Sequence, residues 1–108
     1  MLKRDNIAAP QRRMQVVRLA APPFGGDVGV RQLMLGEWLA AEEAAKGARD
    51  ARLFPHLLAA CVVDADQLPI WSADQWDLWA VEHVAEFSAL LDTVLAVNGR
   101  APGDAKNG

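Results

Sequence analysis

At 108 residues and 11.7 kDa the chain has material for one domain, and two independent cores would not fit comfortably. Its composition, 52% hydrophobic and 23% charged, is that of an ordinary globular protein and too apolar for a fully disordered chain. No apolar run approaches the roughly 18 to 20 residues of a membrane-spanning helix, and the single Cys61 excludes an internal disulfide framework and a cysteine-cluster zinc site.

The net charge of −3 is unevenly spread. Residues 1–60 carry nine Lys/Arg and six Asp/Glu, whereas residues 61–98 carry seven Asp/Glu and no Lys or Arg. An acidic second half does not suit phosphate backbones, which are gripped by Lys and Arg. It suits a basic or mixed-charge protein partner, or else is simply a solvated acidic face. The charged start, Met1-Leu2-Lys3-Arg4-Asp5-Asn6, is followed by no long apolar stretch, so the expectation is a cytoplasmic protein without a signal peptide.

Residues 1–13 are polar and aperiodic and read as a flexible lead-in to a single helical domain at 14–99. Met14-Gln15-Val16-Val17-Arg18-Leu19 alternates loosely and predicts a short strand. A loop by composition follows at 21–27, and Val28–Leu33 predicts a second strand, completing a hairpin with a long connection. An isolated two-stranded ribbon is marginal unless it packs on something else.

From Met34 the period turns helical, with Leu35, Trp38, Leu39 and Glu42 at three-four spacing and alanines between them. Gly47 weakens the end of this helix, and Asp50 can cap a second one. Leu53, Leu57, Leu58, Cys61 and Val62 form the stripe of that second helix, which should stop near Val63. Pro55 confines its start to between Asp50 and Phe54. Asp64–Pro69 reads as a tight polar turn leading into an extended Ile70-Trp71.

Ser72-Ala73-Asp74-Gln75 is a capping box, with Ser and Gln side chains each placed to satisfy a backbone N–H that a helix start leaves unpaired. Asp74 also suits the positive end of the helix dipole. Trp76, Trp79 and Ala80 mark one face of this third helix. A fourth runs from about His83 to Val97 on Val84, Phe87, Leu91 and Val94, and Asn98-Gly99 ends it. The third and fourth helices are candidates for one bent element. Residues 100–108 read as a flexible tail.

The expected fold is therefore mainly α: a small bundle of three to four helices with a short extended or β-hairpin N-terminal element. Its expected core includes Leu35, Trp38, Leu39, Leu57, Leu58, Cys61, Val62, Val84, Phe87, Leu91 and Val94.

No catalytic or cofactor constellation emerges. Cys61 lies on an apolar stripe, where a thiol is inert packing, and His56, five residues away, falls about 140° around the helix. Asp64-x-Asp66 fails as an EF-hand start, because Pro69 and Gln75 stand where the loop needs Gly and Glu. Gly25-Gly26-Asp27-Val28-Gly29 lacks the residues of a P-loop and the spacing of a dinucleotide fingerprint. The paired carboxylates Glu42/Glu43 and Asp74/Asp77 fall on helix faces expected to be exposed, which needs no catalytic explanation. The reading is a non-enzyme, with no cofactor and no metal.

Four tryptophans and no tyrosine are unusual for this length, and three of them, Trp71, Trp76 and Trp79, fall within nine residues. A small domain has limited room to bury four indoles, and tryptophan is enriched among interface hot spots. Trp71, Trp76 and Trp79 with the acidic neighbours Asp74 and Asp77 are the candidate partner-binding residues. Trp71, which precedes the cap, is the one expected to be least committed to the core.

The run Ala59-Ala60-Cys61-Val62-Val63-Asp64-Ala65-Asp66-Gln67-Leu68-Pro69-Ile70-Trp71-Ser72-Ala73-Asp74 resembles a pattern found in tail assembly chaperones of long-tailed bacteriophages. In that family a helix ends in an apolar-Asp-x-Asp/Glu-Gly-x-Pro-aromatic turn, and a Ser/Thr-capped acidic helix follows. A last amphipathic helix closes on Leu/Val-Asn-Gly, matched here by Val97-Asn98-Gly99. The resemblance spans roughly residues 28–99 and includes, more loosely, the extended Val28–Leu33 entering a Glu- and Ala-rich helix. Gln67 stands where the family's turn usually has Gly, and Trp71 and Ser72 replace the more usual Phe and Thr.

The resemblance implies a non-catalytic protein that binds the tape-measure protein, and in second place the tail-tube protein, during tail assembly. It implies action in the host cytoplasm and absence from the mature virion; the acidic second half and the lack of a membrane-length apolar run argue against nucleic acid and membrane as partners. It also implies a longer form made by a −1 ribosomal frameshift, for which Ala105-Lys106-Asn107 allows a slippery codon run. Two other readings compete. A structural tail or head-completion protein retained in the virion has no sequence feature that separates it from a chaperone. A small helix-turn-helix regulator is opposed by the absence of Lys and Arg from residues 53–99.

Overall fold

The computed structural model describes residues 1–46 and 50–99, with the side chains of all of these except 50–52. The tail expected at 100–108, the frameshift residues within it, the helix-weakening Gly47 and the capping side chain of Asp50 lie outside the described residues. A 3-10 turn at Arg4–Asn6 comes first. Strands β1 (Met14–Leu19) and β2 (Gly26–Arg31) follow, then helices α1 (Leu35–Ala44) and α2 (Asp50–Cys61). Strand β3 (Val62–Val63) leads to helices α3 (Ala73–Glu82) and α4 (Val84–Val97). The result is an α/β fold of four helices and a three-stranded antiparallel sheet, with roughly half of the described residues helical.

This corrects the expectation of a mainly α bundle. The hairpin forms, with Val16 opposite Gly29 and Val17 opposite Val28, but it acquires a third strand. Val62 and Val63 leave the helix and pair with Val30 and Gly29. Their apolar stripe suits a helical continuation equally well. Pairing with β2 decides the matter, because β-branched residues fit a pleated, buried surface and both valines are fully enclosed there. The third strand and the helices behind it supply what a lone ribbon lacks.

Gly29 admits the close approach: a Cβ there would come within 2.8 Å of Met14 Sδ and 3.2 Å of Val63 Cγ2. Pro55 lies in the second turn of α2 and is buried.

One contiguous core joins the sheet's inner face (Leu19, Val28, Val30, Val62) to α2 (Leu57, Leu58, Cys61), α3 (Trp76, Trp79) and α4 (Leu90, Val94, Leu95, Val97). Six of the expected core residues are buried: Trp38, Leu57, Leu58, Cys61, Val62 and Val94. Phe87 and Leu91 pack partly buried against the core.

Leu35, Leu39 and Val84 are exposed, contrary to expectation. Helix α1 buries Trp38 and Ala41, and Ala45 just beyond it, a three-four stripe in which small residues let α1 lie close to its neighbour. The larger Leu35 and Leu39 are thereby turned outward. Helix α4 buries a stripe of Leu90, Val94 and Val97, with Leu95 beside it, rotated from the one the larger apolar residues suggest. Val84, at its first position, falls off that stripe.

Three polar devices order the elements, two of them between elements and one within α3. Glu37 Oε1 accepts from the Met34 N–H (2.7 Å) and pairs with Arg12 (2.6 Å), while Oε2 faces Arg31 (3.7 Å). Arg31 Nε donates to the Ala60 carbonyl at 3.0 Å, so one carboxylate links the start of α1 to the sheet and to α2. The capping box of α3 is formed as the sequence predicts: Ser72 N–H donates to Gln75 Oε1 (2.9 Å) and Gln75 N–H to Ser72 Oγ (3.4 Å). Helices α3 and α4 are separate elements, broken at His83 (φ −133°, ψ 51°).

Asn98 is the third device. Its Oδ1 accepts from the Leu33 N–H at 2.7 Å, and its Nδ2 donates to the Val94 carbonyl at 2.8 Å and lies 3.7 Å from Cys61 Sγ. The exit of β2, the end of α2 and the end of α4 meet at this one side chain. Gly99, at φ +75°, takes the left-handed conformation that closes α4.

Candidate partner-binding surface

The capping box sets the phase of α3, and that phase decides which way each candidate residue faces. Trp76 and Trp79, three apart, point inward. Trp76 is fully enclosed and Trp79 is 7% exposed. Trp71, in the extended segment before the cap, is half-buried. Asp74 and Asp77 are exposed on the other side of the helix.

The three indoles meet around Phe24, contributed by the β1–β2 loop. Phe24 lies parallel to Trp76 (centroids 5.7 Å, interplanar 12°), edge-on to Trp79 (5.7 Å, 87°) and tilted against Trp71 at 4.7 Å. Offset and edge-to-face pairs of this kind are the favourable aromatic geometries. Trp79 Nε1 donates to the Pro22 carbonyl at 3.2 Å, tying α3 to the same loop. Trp76 Nε1 is buried without a hydrogen-bond partner, which costs on the order of 1–3 kcal/mol against a satisfied donor. The aromatic cluster is thus a lock between α3 and the hairpin loop, and Trp71 alone of the three offers substantial surface.

The sequence contains no signal for the role of Phe24. It lies in a Pro/Gly-rich loop some fifty residues before α3, and only the fold brings the two together.

Asp74 and Asp77 border a notch between α2 and α3, lined also by Pro55, His56 and Ala73. Its volume, about 10 Å³, has room for about one water molecule, so it is a surface crease and not a ligand pocket. Among the described residues no group of three or more His, Cys, Asp or Glu side chains is placed to hold a metal ion.

Cys61 is fully buried. Burial pushes its thiol up to about 12, although the Asn98 amide and the charge of Arg31 act the other way. A thiol held protonated in this way is a poor nucleophile.

Further exposed apolar residues lie on the same part of the fold: Leu78 and Val81, which sequence reasoning did not single out, and Val84, which it placed in the core. Leu78, Val81 and Val84 stand open to solvent on the outer side of α3 and the start of α4. Their signal was available: Asp74, Asp77, Leu78 and Val81 share a stripe opposite the tryptophans.

No helix among the described residues is long and apolar enough to cross a membrane. Compared with protein-family models, with curated proteins and with solved structures, the chain matches none.

Proposed function

We propose that this chain is a non-catalytic tail assembly chaperone of a long-tailed bacteriophage, which binds the tape-measure protein in the host cytoplasm and keeps it soluble until tail-tube subunits enclose it. The observation that carries this reading is the turn from Asp64 to Pro69. The chaperone pattern has Gly at the position of Gln67. Gln67 stands at φ +62°, in the left-handed region that glycine enters freely and other residues avoid. The turn is closed by its own hydrogen bonds. Asp64 Oδ1 accepts from the N–H groups of Asp66 (2.8 Å) and Leu68 (3.0 Å), and Asp64 N–H donates to the Leu68 carbonyl (2.9 Å). A left-handed backbone at this position is what a glycine there would favour, and this supports the reading, while Ile70 between Pro69 and Trp71 is a further departure from the Pro-aromatic pattern.

The closing Asn98-Gly99 is compatible with the same reading: in this chain Asn98 makes a hydrogen-bonded junction and Gly99 a left-handed helix end, so neither residue is incidental. The surface chemistry is compatible with such a client. A tape-measure protein is a long helical chain that exposes apolar stripes before it is encased, and a helix can be covered by packing its apolar face on a complementary surface.

Co-expression with the tape-measure protein of the same gene cluster tests the proposal. The expected result is a soluble complex that co-purifies. Tape-measure protein that stays in the pellet, with none recovered on the tagged chain, would defeat it. Recovery of the chain from purified phage particles would instead favour a structural role in the virion.

A further inference from the structure

The side of α3 turned away from the core carries a pattern that folding does not use. Asp74, Asp77, Leu78 and Val81 run along one stripe. Leu78 and Val81 are 74% and 75% exposed, and Val84, three residues on and across the break at His83, is 66% exposed. Large apolar side chains at successive positions on one helix face are a mark of an interaction surface when they are not needed by the core.

Along α3 and α4 the charge is of one sign. Asp74, Asp77 and Glu82 are exposed beside these residues, and from Leu53 to Gly99 the chain has no Lys or Arg. A second copy of the chain docked face to face would set carboxylate against carboxylate. An uncharged apolar partner would leave the acidic margin uncompensated. A helix with an apolar ridge flanked by Lys or Arg satisfies both the ridge and the margin.

We infer that the outer face of α3 and the first turn of α4, built on Leu78, Val81 and Val84 and bordered by Asp74 and Asp77, docks a basic amphipathic helix. The inference rests on the chaperone reading in assigning that helix to the tape-measure protein. It moves the contact from the indole side of α3, which is occupied by the chain's own Phe24, to the opposite side.

The test uses the full chain in four forms: unaltered, L78S/V81S, D74N/D77N, and L35S/L39S as a control on the equally open face of α1. All three substituted pairs lie at exposed helix positions, so each variant is expected to fold, as thermal melting followed by circular dichroism would check. On co-expression with the tape-measure protein, the unaltered chain and L35S/L39S are expected to give soluble complex. L78S/V81S is expected to lower the yield about ten-fold, the equivalent of ~1.4 kcal/mol. D74N/D77N is expected to weaken the complex and flatten its dependence on salt.

In parallel, a synthetic Leu/Lys amphipathic helix of roughly 18 residues, and its Leu/Glu counterpart, are titrated into labelled chain and followed by NMR. The Leu/Lys peptide should shift the amides of residues 74–84 and the Leu/Glu peptide should not. If the unaltered chain fails to solubilise the tape-measure protein, the chaperone reading falls, and the peptide titration still judges the face. If L78S/V81S solubilises it as well as the unaltered chain does, the chaperone reading stands and the assignment of the face is overturned. Peptide shifts centred on α1, or equal shifts with both peptides, overturn it as well.

Discussion

Gln67 and Asn98 show how single side chains set this fold. A non-glycine residue at φ +62° carries a backbone penalty that glycine does not, and the penalty is about 1 kcal/mol. Gln67→Gly is accordingly expected to raise stability by up to about 1 kcal/mol, measured by urea denaturation with an unchanged slope. Asn98→Ala removes the acceptor of the Leu33 N–H in a partly buried site. The expected loss is roughly 1–3 kcal/mol, and Asn98→Asp, which keeps the acceptor oxygen but not the donor to Val94, should recover part of it. The sequence marked both positions, Gln67 as a departure from a pattern and Asn98 as the end of a helix. It could not show that Asn98 reaches Leu33, since that contact spans 65 residues. The burial of Cys61 was legible: its place on an apolar stripe predicts the enclosed side chain that the fold contains.

At the scale of elements, local signals were reliable where local chemistry decides and misleading where packing does. The cap of α3 was readable because Ser72 and Gln75 satisfy backbone groups within one turn. The end of α2 was not, because Val62 and Val63 suit either helix or strand and only the presence of β2 selects between them. Helix α1 illustrates the same limit: periodicity offers two apolar stripes, Leu35/Leu39 and Trp38/Ala41/Ala45, and close packing selects the one with the small residues.

The Arg12–Glu37–Arg31 cluster joins α1 to the sheet. Burial alone would raise the Glu37 carboxyl, but the Met34 N–H, Arg12 and Arg31 outweigh it and hold it below its usual value of 4.5. A carboxyl with a depressed folded-state value stabilises fully above its unfolded value and loses that contribution as pH falls through the folded one. The side chains involved are about a third exposed or less, so the expected contribution is modest, at most about 1 kcal/mol. Glu37→Gln should therefore melt below the unaltered chain at neutral pH, and the gap should close in acid, below about pH 4.5. A gap that persists unchanged to pH 3 would assign the effect to shape and not to charge.

Over the whole molecule, the division of charge along the sequence becomes a division between elements. Arg12 and Arg31 of the first half tie the strands to α1, and the carboxylates of the second half stand on α3, on α4 and in the turn before them, without basic neighbours on the same helices. The core, from Leu19 to Val97, includes Cys61 at its centre. Its thiol should react with a thiol-specific reagent only when that core opens. The labelling rate of native chain is expected to follow global unfolding, rising with denaturant in step with loss of circular dichroism. Fast labelling without denaturant would show that α2 and α4 part locally. Which side chains of α3 stand outside was only half legible in the sequence. Trp76 and Trp79 are conspicuous by residue type, yet they serve the interior, while Leu78 and Val81 are unremarkable by type and stand outside. Residue type indicates how much area a side chain can bury, but only helix phase and the Phe24 loop determine where it buries it.

The most direct measurement of the chaperone account is light scattering from tape-measure protein diluted out of denaturant, with and without this chain. The account predicts that scattering falls to the buffer baseline as the chain approaches a stoichiometric ratio, and that the protected protein elutes with it on gel filtration. Scattering that matches the result with an unrelated protein of similar size and charge would contradict it.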